Sequence, residues 1–246
     1  MKAVVLGGSS GIGRAISQRL AERGDALFLL GMDASDLARS AADLQARHPT
    51  NVRVGHAVCN LEDPSGFPAA LDAADAGLDG FDSVIVTAAM FASRDALDAD
   101  LELTRRLVTV NYAHTLVFCE HARRRLLARG GGRLTVLSSV AGDRGRKPVA
   151  VYGSSKAGLS VYLEALDHRF HSEGLSVLCV KPGFVKTGMT AGLKPPPFAG
   201  EPTRVARDIV EAMDRRRPMV YTPRIWALVM LVIRWLPRFV MRRIGF

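Results

Sequence analysis

Tyr152 and Lys156 stand at i and i+4 in "VYGSSKAG", so a helix there would carry both side chains on one face. A phenol ionises near pH ~10, too high to exchange protons readily at neutral pH. A neighbouring ammonium favours the phenolate and lowers that value. Together the two groups could serve as a general acid or base near neutrality. Ser139 closes the strand-like run "RLTVLSS", where its hydroxyl could hydrogen-bond a substrate oxygen as charge develops on it. A Tyr-x-x-x-Lys pair also arises by chance on any helix, so its weight depends on what surrounds it.

The second chemical element is "LGGSSGIGRAI". Gly7, Gly11 and Gly13 give the spacing G-x-x-x-G-x-G, with Ser9, Ser10 and Ile12 inside the turn. A strand entering a tight turn and then a helix leaves free backbone N–H groups and the positive end of the helix dipole at one point, which favours phosphate. Glycine is needed where a side chain would block the pyrophosphate or the helix–strand contact. Placed after an N-terminal strand, the loop predicts dinucleotide binding rather than an ordinary turn. At the end of the next strand, where an acidic residue would select a ribose 2′-hydroxyl, stands Gly31. The room it leaves favours NADP, with Arg14 as a source of positive charge. NAD is the alternative, because Met32 stands where an arginine would help and Asp33 could bind the hydroxyl. Asp33 could equally be the N-terminal cap of a helix beginning near Ala34.

Positioning these groups requires alternating strands and helices, and the sequence supplies them. Strands are expected at Lys2 to Gly7, Ala26 to Gly31, Val52 to Val58, Ser83 to Ala88, Arg133 to Ser139 and Leu175 to Lys181. Helices are expected near Ile12 to Arg23, Ser35 to Arg47, Asp63 to Ala76, Arg105 to Arg129 and Tyr152 to Glu173. Continuous apolar strands separated by helices predict an α/β protein, a doubly wound parallel sheet with helices on both faces, the Rossmann fold. Its ligand site lies outside the carboxyl ends of the strands. The expected organisation is a catalytic domain over residues 1–223 and a C-terminal helical tail over residues 224–246.

The motifs "GGSSGIG", "VNYAH", "LSSVAG", "YGSSK" and "KPGFVKT" follow one another as in the short-chain dehydrogenase/reductase family, which the chain resembles along most of its length. That resemblance implies a carbonyl reductase or alcohol dehydrogenase in which Ser139, Tyr152 and Lys156 form the catalytic triad. It implies that Asn111 holds a water in a proton relay with Lys156, and that Tyr152 protonates the carbonyl oxygen as nicotinamide delivers hydride to carbon. It also places Tyr152 and Lys156 against the nicotinamide ribose, and Pro182, Gly183, Val185 and Thr187 along the nicotinamide and pyrophosphate. Three departures blur the cofactor contacts: Leu6 before the first glycine, "VTAA" (Val86 to Ala89, including Ala88) after the fourth strand, and Asn60 in place of an aspartate facing adenine.

The loop "DRGRKP" lies between Ser139 and Tyr152 and carries Arg144, Arg146 and Lys147, either a solvated basic loop or a clamp for substrate phosphate. "MTAGLKPPPFAG" (Met189 to Gly200) is expected to be a lid. The tail "IWALVMLVIRWLPRFVMRRIGF" (Ile225 to Phe246) is too short in its apolar run to span a bilayer. Arg234, Arg238 and Arg242 fall at i, i+4 and i+8 with Arg243 beside them, while Trp226, Trp235 and Phe239 suit a headgroup boundary. Pro237 should end one helix and start another. The tail therefore either lies in an anionic membrane surface or packs on protein. With the loop and "LKPPP", it resembles the subgroup that reduces decaprenylphosphoryl-2-keto-ribose, which implies a keto-sugar on a polyprenyl phosphate at the inner membrane face. Alternatives are a soluble 3-oxoacyl- or steroid-type carbonyl reductase, or a non-catalytic dinucleotide-binding regulator.

The 246 residues, 48% hydrophobic, suit one large core, and the net charge of +9 suggests an anionic partner. Nucleic acid is not expected: the arginines of "HARRRLLAR" lack interleaved aromatics and read as a helix face turned from the crevice. Cys59, Cys119 and Cys179 are scattered and apolar in context, which argues against disulfides and metal ligation and fits a reducing cytoplasm. No signal sequence is recognised. Self-association into a homo-oligomer stays open.

Overall fold

The computed structural model describes residues 1–48 and 52–244. Seven strands form one parallel sheet: β1 (Lys2–Leu6), β2 (Ala26–Gly31), β3 (Val54–Val58), β4 (Ser83–Val86), β5 (Gly132–Leu137), β6 (Leu175–Pro182) and β7 (Met219–Thr222), in the order β3-β2-β1-β4-β5-β6-β7. Helices α1 (Gly11–Glu22), α2 (Ala34–Arg47), α3 (Phe67–Leu78), α4 (Arg94–Ala99), α5 (Leu101–Val108), α6 (Thr115–Ala128), α7 (Ala150–Phe170) and α8 (Pro202–Asp214) connect them, and α9 (Ile225–Trp235) and α10 (Arg238–Arg243) follow β7.

The two-residue period of the strands divides the core. Val4 and Leu6 face one side with Phe67 of α3, Phe118 of α6 and Leu159 of α7. Ala3 and Val5 face the other with Ile16 of α1, Leu37 of α2 and Ile209 of α8. Both sheet faces are thus buried, which is why the strands read as unbroken apolar runs. Strand order reverses between β1 and β4, and in open α/β sheets ligands bind outside the strand ends at such a switch point.

Three expectations are corrected. The single helix predicted over Arg105 to Arg129 is α5, a π-helical turn (Thr109–His114) and α6. Widening there accompanies a side-chain bond from Thr115 Oγ1 to the Val110 carbonyl at 2.8 Å, and π-turns of this kind recur at functional sites. β7 and α8 were not anticipated; β7 has only four residues, and its alternating burial is too brief to register. The arginine stripe of the tail does not run down one helix. Leu236 is extended (φ −62°, ψ 131°) before Pro237, which starts α10 as expected, so Arg234 and Arg238 lie on separate helices. Gly245 and Phe246 of the predicted tail lie outside the described residues.

Candidate active site

The glycine turn is built by close approach. Gly7 adopts φ +87°, and a Cβ there would stand 2.5 Å from Thr87 Oγ1 and 2.8 Å from the Ala88 nitrogen. A Cβ on Gly13 would drive into the Gly7 carbonyl oxygen and Thr87 Oγ1. Thr87 Oγ1 in turn donates to the Leu6 carbonyl at 3.0 Å, tying the end of β4 to the end of β1. The departure "VTAA" therefore keeps a strand-to-strand link through a hydroxyl. Ser10 is the N-cap of α1, yet its side chain makes no capping bond, so the first N–H groups of the helix stay open to an anion. Gly11 (φ +50°) faces Thr187, whose Cγ2 would be 3.5 Å from a Cβ on it; Ser9 gives its carbonyl to Ser40 Oγ at 3.4 Å. Ile12, the second residue of α1, is partly buried against the core. The turn before α1 and the segment after β6 thus converge on one crevice, and the fit to a pyrophosphate is that of a cradle no side chain obstructs.

At the ribose end, Asp33 accepts the Asp36 N–H at 2.8 Å and caps α2. Arg14 Nη2 pairs with Asp43 at 3.0 Å, so the charge expected to serve a 2′-phosphate is already shared. Asn60 accepts from the Glu62 N–H at 3.0 Å in a local turn after β3.

Ser139, Tyr152, Lys156 and Asn111 assemble beyond β5. Ser139 starts a 3₁₀ turn, its hydroxyl accepting from the Ala141 N–H at 3.1 Å and facing the Pro182 carbonyl at 3.5 Å. Tyr152 stands near it and meets the Phe91 ring edge to face at 5.4 Å. Lys156 is 2% exposed; its Nζ donates to the Leu137 carbonyl at 2.9 Å and lies 5.8 Å from the Tyr152 ring centroid. The expectation that Lys156 lowers the tyrosine pKa is not met. Burial pushes Tyr152 up to about 12, with the Ser139 hydroxyl pulling the other way. Burial likewise brings Lys156 down to about 8. Desolvation disfavours the charged form of each group and is the largest cause of both shifts. The phenol is therefore held protonated, the form a proton donor needs. Asn111 lies in the π-turn, 1% exposed. Its amide is clamped to Met90: Nδ2 donates to the Met90 carbonyl at 2.8 Å and Oδ1 accepts from its N–H at 2.7 Å. Its side chain fixes the loop after β4 rather than reaching Lys156.

Beyond β6, Pro182 ends the strand, and the Gly183 N–H donates to the Thr222 carbonyl at 3.0 Å. Val185 is buried and bridges to Gly200, closing the base of the loop that carries the exposed Met189, Leu193 and Phe198. The predicted phosphate clamp is only partly available. Arg144 Nη2 donates to the Leu236 carbonyl at 2.7 Å and Lys147 Nζ to the Arg242 carbonyl at 2.5 Å, so both close the C-terminal ends of α9 and α10. Arg146 is turned inward, and burial lowers its guanidinium pKa against the pull of Asp143.

Several contributors gave no clear sequence signal. Asp143, nearly buried, binds Lys181 Nζ at 2.6 Å and accepts from the Tyr221 hydroxyl at 2.6 Å, pinning the loop after Ser139 to β6 and β7. Trp226, expected at a headgroup boundary, instead packs over Gly183. Trp235 and Phe239 are exposed, at 82% and 62%. Three of the four arginines of "HARRRLLAR" are held by partners: Arg123 with Glu120 and 4.4 Å over Phe170, Arg125 with Asp72, Arg129 with Asp75. No helix among the described residues is long and apolar enough to cross a membrane.

A doubly wound sheet with a glycine cradle at its switch point and a Ser–Tyr–Lys cluster beside it defines a dinucleotide-fold oxidoreductase site. Residues 1–197 match the short chain dehydrogenase family model, and the chain belongs to the short-chain dehydrogenase/reductase family. It is 32% identical over 242 residues to an uncharacterized oxidoreductase of Mycobacterium tuberculosis, covering 98% of this chain and 95% of the relative. It is 26% identical over 218 residues to carbonyl reductase family member 4 of Xenopus tropicalis, covering 85% and 89%. In fold it is similar to L-sorbose reductase from Gluconobacter frateurii, solved in complex with NADPH and L-sorbose: TM-score 0.79, 20% identity, 89% and 94% of the two chains.

Proposed function

We propose that this oxidoreductase is an NADPH-dependent carbonyl reductase. The observation that carries the reading is the convergence of Ser139, Tyr152 and the buried Lys156 at the strand ends beside the glycine cradle, with the Lys156 ammonium 5.8 Å from the Tyr152 ring centroid. The dinucleotide, when bound, supplies hydride to the carbonyl carbon. Tyr152 gives its proton to the oxygen, Ser139 holds that oxygen as charge grows, and the product is an alcohol. Lys156 faces the ribose and helps restore the proton, and Asn111 fixes the wall between the loop after β4 and the π-turn. Gly7, Ser9, Ser10, Gly11, Ile12 and Gly13 receive the pyrophosphate; Ala88, Pro182, Gly183, Val185 and Thr187 line the nicotinamide half; Asn60 lies at the adenine end. Gly31 leaves room for a 2′-phosphate, so NADPH is preferred to NADH. Loss of NADPH absorbance on a panel of aldehydes and ketones tests the reading. Absence of turnover with every compound and both dinucleotides would count against it and favour a non-catalytic regulator.

The substrate class we favour is a keto-sugar, carried on a polyprenyl phosphate and met at an anionic membrane surface. Support comes from the outer face of α9 and α10, where Leu228, Leu231, Val232, Trp235 and Phe239 are exposed beside Arg234, Arg238, Arg242 and Arg243. No acidic residue follows Asp214. An apolar face flanked only by cations suits a peripheral helix pair in the interface of an anionic bilayer.

A further inference from the structure

The 3₁₀ turn that follows Ser139 (Val140–Gly142) is gripped from two sides. On one side it lies against the backbone of α7. A Cβ on Gly142 would stand 2.7 Å from the Ala157 nitrogen and 2.7 Å from the Lys156 carbonyl carbon, and one on Gly153 would stand 2.7 Å from the Ala141 carbonyl oxygen. Those contacts fall at Lys156 and one residue from Tyr152. On the other side Val140 packs with Met230 and Ile233 of α9. The same loop then reaches over the tail: Arg144 donates to the Leu236 carbonyl at 2.7 Å and Lys147 to the Arg242 carbonyl at 2.5 Å. Leu236 is the C-cap of α9 and Arg242 lies in the last turn of α10, where carbonyls have no donor within the helix and the helix dipole favours a cation. Helix α9 buries only Met230 and Ile233, and α10 buries no residue fully. With so little burial of its own, the helix pair depends on the two latches for its place against the turn.

We propose that Arg144 and Lys147 are positioning residues for the reduction: by tying the loop after Ser139 to the carbonyl ends of α9 and α10, they hold the Val140–Gly142 turn against α7 and so fix Ser139 relative to Tyr152. This rests on the reading of Ser139, Tyr152 and Lys156 as the catalytic centre. The proton donor and the hydroxyl that holds the substrate oxygen sit on different elements, Tyr152 on α7 and Ser139 at the end of β5, and the turn is the piece that joins them. A small misplacement between such groups, caused far from the chemistry, lowers rate rather than binding. The two cations therefore act through the tail and not on a substrate phosphate.

Arg144→Met and Lys147→Met keep an aliphatic stem and remove the donor. With NADPH and an uncharged ketone that the wild type reduces, Arg144→Met should lower kcat about ten-fold, the ratio for one charge-assisted hydrogen bond in a partly exposed place. Lys147→Met should lower it about three-fold, because its bond is exposed. KM for the ketone and the NADPH dissociation constant should stay at wild-type values, and Arg144→Lys, which restores a donor, should recover most of the turnover. A second readout needs no turnover. The Gly142 N–H donates to the Ser139 carbonyl at 3.1 Å and the Asp143 N–H to the Val140 carbonyl at 3.2 Å. Both amides should exchange with solvent about ten-fold faster in Arg144→Met. The proposal is overturned if kcat does not move, if the loss falls on KM or on NADPH affinity, if Arg144→Lys is no better than Arg144→Met, or if exchange at Gly142 and Asp143 is unchanged. An inactive Tyr152→Phe beside an unmoved Arg144→Met would overturn this inference alone; an active Tyr152→Phe would overturn the catalytic reading beneath it.

Discussion

Lys156→Met should make the protein more stable at neutral pH while abolishing turnover. Lys156 is held at about 8 where an ordinary lysine titrates at 10.5, because burial penalises its charge. Between those values the unfolded chain binds the proton and the folded chain does not, so stability rises with pH across that window. Below about pH 8 the full cost of the buried ammonium is present, about 3 kcal/mol at ~1.4 kcal/mol for each pH unit. Methionine removes that cost and fills similar volume, but it forfeits the bond to the Leu137 carbonyl, worth about 1 kcal/mol. The net expectation is a gain of about 2 kcal/mol at pH ~7, or about 4–8 °C in thermal midpoint for a domain of this size. Denaturant titrations from pH ~7 to ~9.5 should show the wild type gaining about 2 kcal/mol relative to the variant. Burial also raises the thiol pKa of Cys59, Cys119 and Cys179, which lowers stability above pH ~9 in both proteins; the Cys59 part cancels in the difference, and for Cys119 and Cys179, which interact with Lys156, the loss is larger in the variant and adds to the same trend. A variant less stable than wild type at pH 7, or a difference that does not change with pH, would refute the buried-ammonium argument.

Gly183→Ala should cost about 1–3 kcal/mol through overpacking against Trp226, and the cost should shrink in a Trp226→Ala background; additive losses in a double-mutant cycle would show that the two do not meet. Replacing Arg238, Arg242 and Arg243 together by glutamine should leave the fold intact, since their side chains are exposed, and weaken sedimentation with anionic vesicles about 100-fold at ~1 kcal/mol per cation. Unchanged sedimentation, or binding by neither protein, would remove the membrane reading. Asp143→Asn should release the loop after Ser139 by weakening its bonds to Lys181 and Tyr221, lowering turnover more than NADPH affinity; a variant with normal kinetics would show that the anchor is dispensable.

The sheet was legible because burial on both faces forces each strand into an apolar run, and β1, β2 and β6 lie within a residue or so of their expected limits. The glycine turn and the convergence of Ser139, Tyr152 and Lys156 beyond β5 were legible because glycine spacing, a strand end and a helical i, i+4 pair are local patterns. What escaped depends on contacts distant in sequence. Thr87 acts through the Leu6 carbonyl, Asn111 through Met90 and Asp143 through Lys181 and Tyr221; no local pattern announces any of these pairs. The phenol's raised pKa comes from burial that only the fold creates. The tail's apolar residues were visible, but not their division into an inner set on Val140 and Gly183 and an outer exposed set, because Pro237 and the latches from Arg144 and Lys147 decide it.

The measurement that bears most directly on the catalytic reading is turnover by Tyr152→Phe alongside NADPH titration. Phenylalanine keeps the ring against Phe91 and removes only the proton that the carbonyl oxygen receives. Turnover on any reducible carbonyl should fall by about two to four orders of magnitude while the NADPH dissociation constant stays at the wild-type value. Turnover near wild type would contradict the account.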